Sequence, residues 1–167
     1  MHGSSAMAPA VTLPGSCHCG RLRVAFSSGL DPAVINPRAC DCSFCQKHGA
    51  AYISDPAGQL VITLADPLAL HRYRQGSNTA EFLICDRCGV LVAVLADYGA
   101  RLYAAVNARC LEAFGEFGPS VPASPQQLTA GEKMARWLRL WIPDVALVTD
   151  DSDTSADGSL LRDSNRT

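Results

Sequence analysis

At 167 residues the chain suits one domain with a sizeable core. Hydrophobic residues make up 48% and charged residues 18%, the balance of a globular chain rather than a disordered one. The net charge is -2, and the five Asp and two Arg from Asp150 onward leave the rest nearly neutral, without the basic surplus of a nucleic-acid binder.

Residues 1–12 form an N-terminal segment whose opening, Met-His-Gly-Ser-Ser-Ala-Met, reads partly as an expression scar and carries no fold expectation. It lacks the basic-then-apolar plan of a signal peptide, and no apolar run in the chain approaches the ~20 residues that span a bilayer. The expected setting is therefore a reducing cytoplasm, with no membrane partner. A single β domain is expected over residues 13–117. Leu22, Val24 and Phe26 alternate with polar or small neighbours, and Leu60, Ile62 and Leu64 repeat the period of two. His71 falls on a presumed strand beside Arg72 and Arg74. Phe82 and Ile84 alternate just before Cys85, and Leu102, Ala104 and Val106 do so later. Val90 to Leu95 is continuously apolar, as a strand buried on both faces would be. Turn signals such as Asp55-Pro56-Ala57-Gly58, Asp66-Pro67 and Gln75-Gly76-Ser77-Asn78 separate the runs. The pattern predicts a mainly β fold of antiparallel sheets.

Residues 118–149 are expected to hold a Pro-rich linker, Gly118 to Pro125, and a C-terminal helix. Thr129-Ala-Gly-Glu132 reads as a capping box, and Pro143 stops the helix. Met134, Trp137, Leu138 and Trp141 share one face, and Lys133, Arg136 and Arg139 line another. That basic stripe reads as a solvated face, with contact to an anionic partner as the other reading. Residues 150–167 are expected to form a flexible acidic tail.

Seven of the eight cysteines fall into three clusters: Cys17-His18-Cys19-Gly20, Cys40-Asp41-Cys42-Ser43-Phe44-Cys45 and Cys85-Asp86-Arg87-Cys88-Gly89. Disulfides are rare in a reducing compartment, so metal is the expected explanation. A Cys-x2-Cys turn followed by Gly aims both sulfurs at one centre, and Gly lets the backbone fold under the metal. Zinc takes four tetrahedral ligands in a closed site and three plus an exchangeable ligand in an open one. Seven thiolates divide into those two counts. Spacing alone does not fix the partition, although Cys17, Cys19, Cys85 and Cys88 in one site, with Cys40, Cys42 and Cys45 in the other, is the two-cluster solution. The competing readings are seven buried or disulfide-bonded thiols, or one zinc with the third cluster empty or oxidised. Cys110 reads as a small buried residue, with a redox role as the alternative. His18 is expected to point away from the metal, and His48 to lie within reach of the open site but solvated.

The three motifs, Gly15-Ser-Cys17-His-Cys19-Gly20, Cys40-Asp-Cys42-Ser-Phe-Cys45-Gln-Lys47 and Cys85-Asp-Arg-Cys88-Gly89, resemble those of the glutathione-dependent formaldehyde-activating enzyme family, which also includes centromere protein V. The resemblance covers roughly Leu13 to Glu112. It implies folded antiparallel β-sheets like those of methionine sulfoxide reductase B, with zinc bound. It further implies that Cys17, Cys19, Cys85 and Cys88 are structural zinc ligands, and that Cys40, Cys42 and Cys45 are catalytic zinc ligands. The chain departs from the family at Asp41, where Cys-His-Cys is frequent, at Ile84 in place of an aromatic, and at Cys110-Leu111-Glu112. None of these removes a thiolate.

The expected function is that of a two-zinc carbon–sulfur lyase acting on a thiol adduct, with glutathione and formaldehyde as the pair the resemblance implies. Glutathione carries two carboxylates, for which Lys47, Arg72, Arg74 and Arg87 are candidate partners. A non-catalytic zinc-binding interaction module is the alternative. A methionine sulfoxide reductase ranks last, because it needs a reactive cysteine beyond the zinc ligands and Cys110 is the one to spare.

Overall fold

Eleven strands and two helices run through residues 10–150, the part of the chain that the computed structural model describes. In chain order they are β1 (Val11–Ser16), β2 (Leu22–Ser28), β3 (Arg38–Cys40), α1 (Ser43–His48), β4 (Ala51–Ile53), β5 (Gln59–Leu64), β6 (Leu70–Arg74), β7 (Glu81–Cys85), β8 (Leu91–Tyr98), β9 (Arg101–Asn107), β10 (Val121–Ala123), α2 (Ala130–Leu140) and β11 (Asp144–Thr149). They form a four-stranded sheet, β1-β2-β5-β11, and a seven-stranded sheet, β10-β3-β4-β9-β8-β7-β6. Every pairing of named strands is antiparallel except β10 with β3 and β11 with β5. The mainly β, antiparallel-rich fold with one C-terminal helix agrees with the sequence reading.

The alternation in β2 and β5 turns Leu22, Val24, Phe26, Leu60 and Ile62 inward, all buried, against Leu83, Leu95 and Val106 of the larger sheet. The other face of that sheet carries a second apolar cluster, in which Phe82, Val94 and Ala105 meet Trp137 and Trp141. The larger sheet is thus covered by the small sheet on one side and by α2 on the other. This is why Leu91 to Ala96 is apolar without a break, and all six residues are buried. An irregularity between Leu83 and Ile84 shifts the register of β7 on β8 next to Cys85.

The capping box forms as expected, with Thr129 Oγ1 accepting from Glu132 N and Glu132 Oε2 accepting from Thr129 N. The chain after Gly118 is more than a linker and helix. Val121–Ala123 pairs with β3, and Asp144–Thr149 pairs along the whole of β5. Residues 1–9 and 151–167 lie outside the described residues, so the expectations of a scar and of an acidic tail fall largely there. No helix among the described residues is long and apolar enough to cross a membrane.

Candidate metal centres and active site

The sulfurs of Cys17, Cys19, Cys85 and Cys88 lie within 4.8 Å of one another, and those of Cys40, Cys42 and Cys45 form a second such group. Cys17 and Cys19 sit in the β1–β2 turn of the small sheet, and Cys85 and Cys88 in the β7–β8 turn of the large one. The two pairs come from strand ends in different sheets rather than from hydrogen-bonded neighbours. The Gly closing each turn takes a left-handed φ, 81° at Gly20 and 75° at Gly89, which lets the chain double back beneath the sulfurs. Arg21 pairs with both Asp66 and Asp86, so an ion pair also ties the first knuckle to the second.

Sulfurs at the corners of a tetrahedron about 2.3 Å from a zinc would stand about 3.8 Å apart. Cys17 Sγ and Cys19 Sγ are 3.7 Å apart, and Cys19 Sγ and Cys85 Sγ 3.5 Å. The four-sulfur group therefore has the spacing and the soft donors that suit zinc. Burial pushes the Cys17 thiol up to about 12. Cys88 settles at about 6: desolvation opposes its charge, but backbone N–H groups of Val90 and Cys19 and neighbouring thiols favour it. One thiolate beside a thiol that resists ionising is a cluster that gains from a cation.

The three-sulfur group is local. Cys40 ends β3, Cys42 caps α1 by accepting from Cys45 N at 3.4 Å, and Cys45 lies within that helix. A hydrogen bond from Cys45 holds Cys40 down at about 6, while that pairing and burial push Cys45 far up. The buried Tyr52 hydroxyl stands 3.2 Å from Cys45 Sγ. Burial, the largest cause, raises the Tyr52 pKa, so the phenol keeps its proton and its O–H is available to hydrogen-bond the sulfur. Asp41, between two of the cysteines, accepts from Ser124 Oγ at 2.5 Å and from Gln126 Nε2 at 3.1 Å. It fastens the chain that leads into α2 over the site.

Two pockets meet at Cys40. One is apolar and runs under α2, lined by Cys40, Cys45, Phe82, Val94, Trp137 and Trp141 together with Arg38 and Arg136. The other is more polar, lined by Cys40, Cys42, Gln75, Ser77, Gln126 and Lys133. Lys133 Nζ reaches Ser77 Oγ at 3.4 Å across it. Burial, and then the like charge of Arg136, bring Arg38 down to about 10.

Sequence reasoning anticipated the two sulfur groups and missed these surroundings. Tyr52 and Arg38 carry no motif, Gln75 is visible only as part of a turn signal, and the stripe read as solvated places Lys133 and Arg136 at the pockets while Arg139 is exposed. Among the cations considered for glutathione, Arg72 and Arg74 are paired with Glu81, and Lys47 and Arg87 are exposed. His18, His48 and His71 are exposed and belong to neither sulfur group, and the His48 ring lies 4.6 Å from that of Phe44. Cys110 is half-buried against the core and donates to Leu91 O at 3.2 Å; burial raises it to about 11.

A Rhodobacter sphaeroides protein of known crystal structure is 27% identical to this chain, over 59% of this chain and 87% of that one, with a TM-score of 0.44. Residues 12–124 match the model of the family described as glutathione-dependent formaldehyde-activating enzyme, a span that takes in both sulfur groups and all three cysteine motifs. With that match over more than half its length, the chain belongs to the glutathione-dependent formaldehyde-activating enzyme family.

Proposed function

We propose that the protein is a carbon–sulfur lyase of the type that joins a thiol to an aldehyde and reverses the step, with glutathione and formaldehyde as the reference pair. The observation that carries this reading is the position of the three-sulfur group: Cys40 and Cys45 line the apolar pocket, and Cys40 and Cys42 line the polar one. On this reading two zinc ions bind per chain. Cys17, Cys19, Cys85 and Cys88 hold the first in a closed structural site. Cys40, Cys42 and Cys45 would hold the second, offering three thiolates to it. A zinc so held supplies a Lewis-acidic centre that lowers the pKa of an incoming thiol to the neutral range.

The chain's own residues do the rest. Tyr52 donates to Cys45 Sγ, which draws charge from that thiolate and fixes its direction. Gln75 and Lys133 offer polar contacts to a tripeptide thiol at the mouth. Trp137 and Phe82 keep water from the inner side. In the reaction the thiol sulfur bonds to the carbonyl carbon, and the carbonyl π pair moves to oxygen. The proton lost from sulfur is matched by one gained at that oxygen. The product with formaldehyde is S-hydroxymethylglutathione, and the reverse step breaks the carbon–sulfur bond.

The test is exchange NMR with 13C-labelled formaldehyde and glutathione at neutral pH. The zinc-loaded protein is expected to speed exchange between free and thiol-bound carbon above the uncatalysed rate, and Cys42→Ser to remove the gain. No acceleration with zinc at both sites would leave the interaction-module reading.

A further inference from the structure

The apolar pocket under α2 holds a contradiction that formaldehyde does not resolve. Its walls are Phe82, Val94, Ala105, Trp137 and Trp141, which gain free energy only by covering apolar atoms. Formaldehyde is one polar carbon and offers almost none. Two arginines, Arg38 and Arg136, also line this pocket. Arg38 gives one N–H to Ser54 Oγ at 2.7 Å, and Ser54 in turn donates to Leu140 O. Neither Arg38 nor Arg136 forms a salt bridge with a carboxylate among the described residues. Two cations in this one pocket, beside the single low-lying thiol of Cys40, leave room for a further anion, and a guanidinium suits a planar carboxylate through two parallel hydrogen bonds.

We infer that this pocket receives a small organic carboxylate with an apolar body, gripped at its charged end by Arg38 and Arg136 and covered by Trp137 and Trp141. In making that molecule the thiol's reaction partner, an aldehyde bearing a carboxylate, the inference rests on the function proposed above. The thiol approaches from the polar pocket and the acid from the apolar one, and Cys40 borders both. The addition balances as it does for formaldehyde: S–H adds across the carbonyl, and the carboxylate is unchanged.

The protein has two tryptophans, and both line this pocket with ring centroids 4.5 Å apart. Intrinsic fluorescence therefore reports on it directly. Zinc-loaded protein is titrated with butyrate and phenylacetate, each against its uncharged amide. The expected result is saturable quenching by at least one acid, tenfold or more tighter than by its amide. Arg136→Gln is expected to bring the acid to the level of the amide, with metal content and the response of the cobalt-substituted protein to glutathione unchanged. Arg38→Gln should do the same, but Arg136 lies on a half-exposed helix face and carries the test if loss of the Ser54 contact unfolds the first variant. Equal binding of acid and amide, or no quenching by either acid, overturns the inference. So does an Arg136→Gln protein that loses metal while keeping its preference for the acid, since the arginines would then serve only to balance the thiolates. Binding is read without turnover, so a preference for the acid in a protein indifferent to glutathione would remove the thiol chemistry and leave the anion pocket standing.

Discussion

Cys19 Sγ and Cys85 Sγ stand 3.5 Å apart although 66 residues separate them and each belongs to the end of a different sheet. A metal bound there would clamp the small sheet to the large one at the rim of the core they share. A structural zinc contributes roughly 10–16 kcal/mol of apparent binding energy coupled to folding. A whole domain is stable by only about 5–15 kcal/mol. Cys85→Ser or Cys17→Ser is therefore expected to give insoluble or molten protein. The three-sulfur group spans only β3 and the start of α1, so its metal closes a short loop and constrains less chain. Cys42→Ser is expected to stay folded and lose one zinc, as read by metal analysis and thermal unfolding. If it unfolds as badly as Cys85→Ser, both sites are structural.

Tyr52→Phe keeps the ring buried in the second cluster and removes only the donor to Cys45 Sγ. The stability cost is expected to be about 1 kcal/mol, the net worth of one hydrogen bond. Zinc content should stay the same. Turnover should change about tenfold or less, the rate equivalent of that energy. Unchanged kinetics at full metal content would show that the hydroxyl serves packing alone.

Gly15 and Gly131 make a contrasting pair. A methyl on Gly15 would run into the Cys110 carbonyl oxygen, where the backbone after β9 crosses β1. Gly15→Ala is expected to destabilise by about 1–3 kcal/mol, the range for overpacking. Gly131, in the first turn of α2, has open space at its Cβ, so Gly131→Ala should stabilise by about 0.4–1 kcal/mol. Thermal unfolding of both variants reads the two signs, and a stable Gly15→Ala protein would contradict the close approach.

Metal affinity should rise with pH. Cys17 is raised to about 12 by burial, and Cys45 is raised by its hydrogen bond to Cys40 and by burial, so without metal both keep their protons at neutral pH. The ligating form is the thiolate, so each bound metal must displace at least one proton. Lowering the pH therefore opposes binding. Chelator competition at pH 6, 7 and 8 should show at least about a tenfold gain in affinity per pH unit for each proton released. An affinity flat across that range would mean the thiols are already ionised.

The sequence made the cysteine centres legible because their residues cluster within turns, with Gly20 and Gly89 marking the reversals. The continuous apolar run from Val90 to Leu95 likewise announces a strand covered on both faces, and the buried stretch of β8 is Leu91 to Ala96. The short β10 escaped because Pro122 lies inside it and a three-residue edge strand has no period to read. β11 escaped because Pro143 reads as an end, whereas it is the corner from which the chain joins β5. Tyr52 and Arg38 were invisible because they reach the site only through the pairing of β3 with β4. The amphipathic pattern of α2 does not say what the helix packs over, so from sequence its basic face reads as solvated.

On the proposed function the Cys40-Cys42-Cys45 centre accepts a thiol. This is tested most directly by loading the protein with cobalt at both sites and titrating it with glutathione while following the thiolate and visible bands. A saturable spectral change that is lost in Cys42→Ser is expected. Bands indifferent to millimolar glutathione, with both sites loaded, would contradict it.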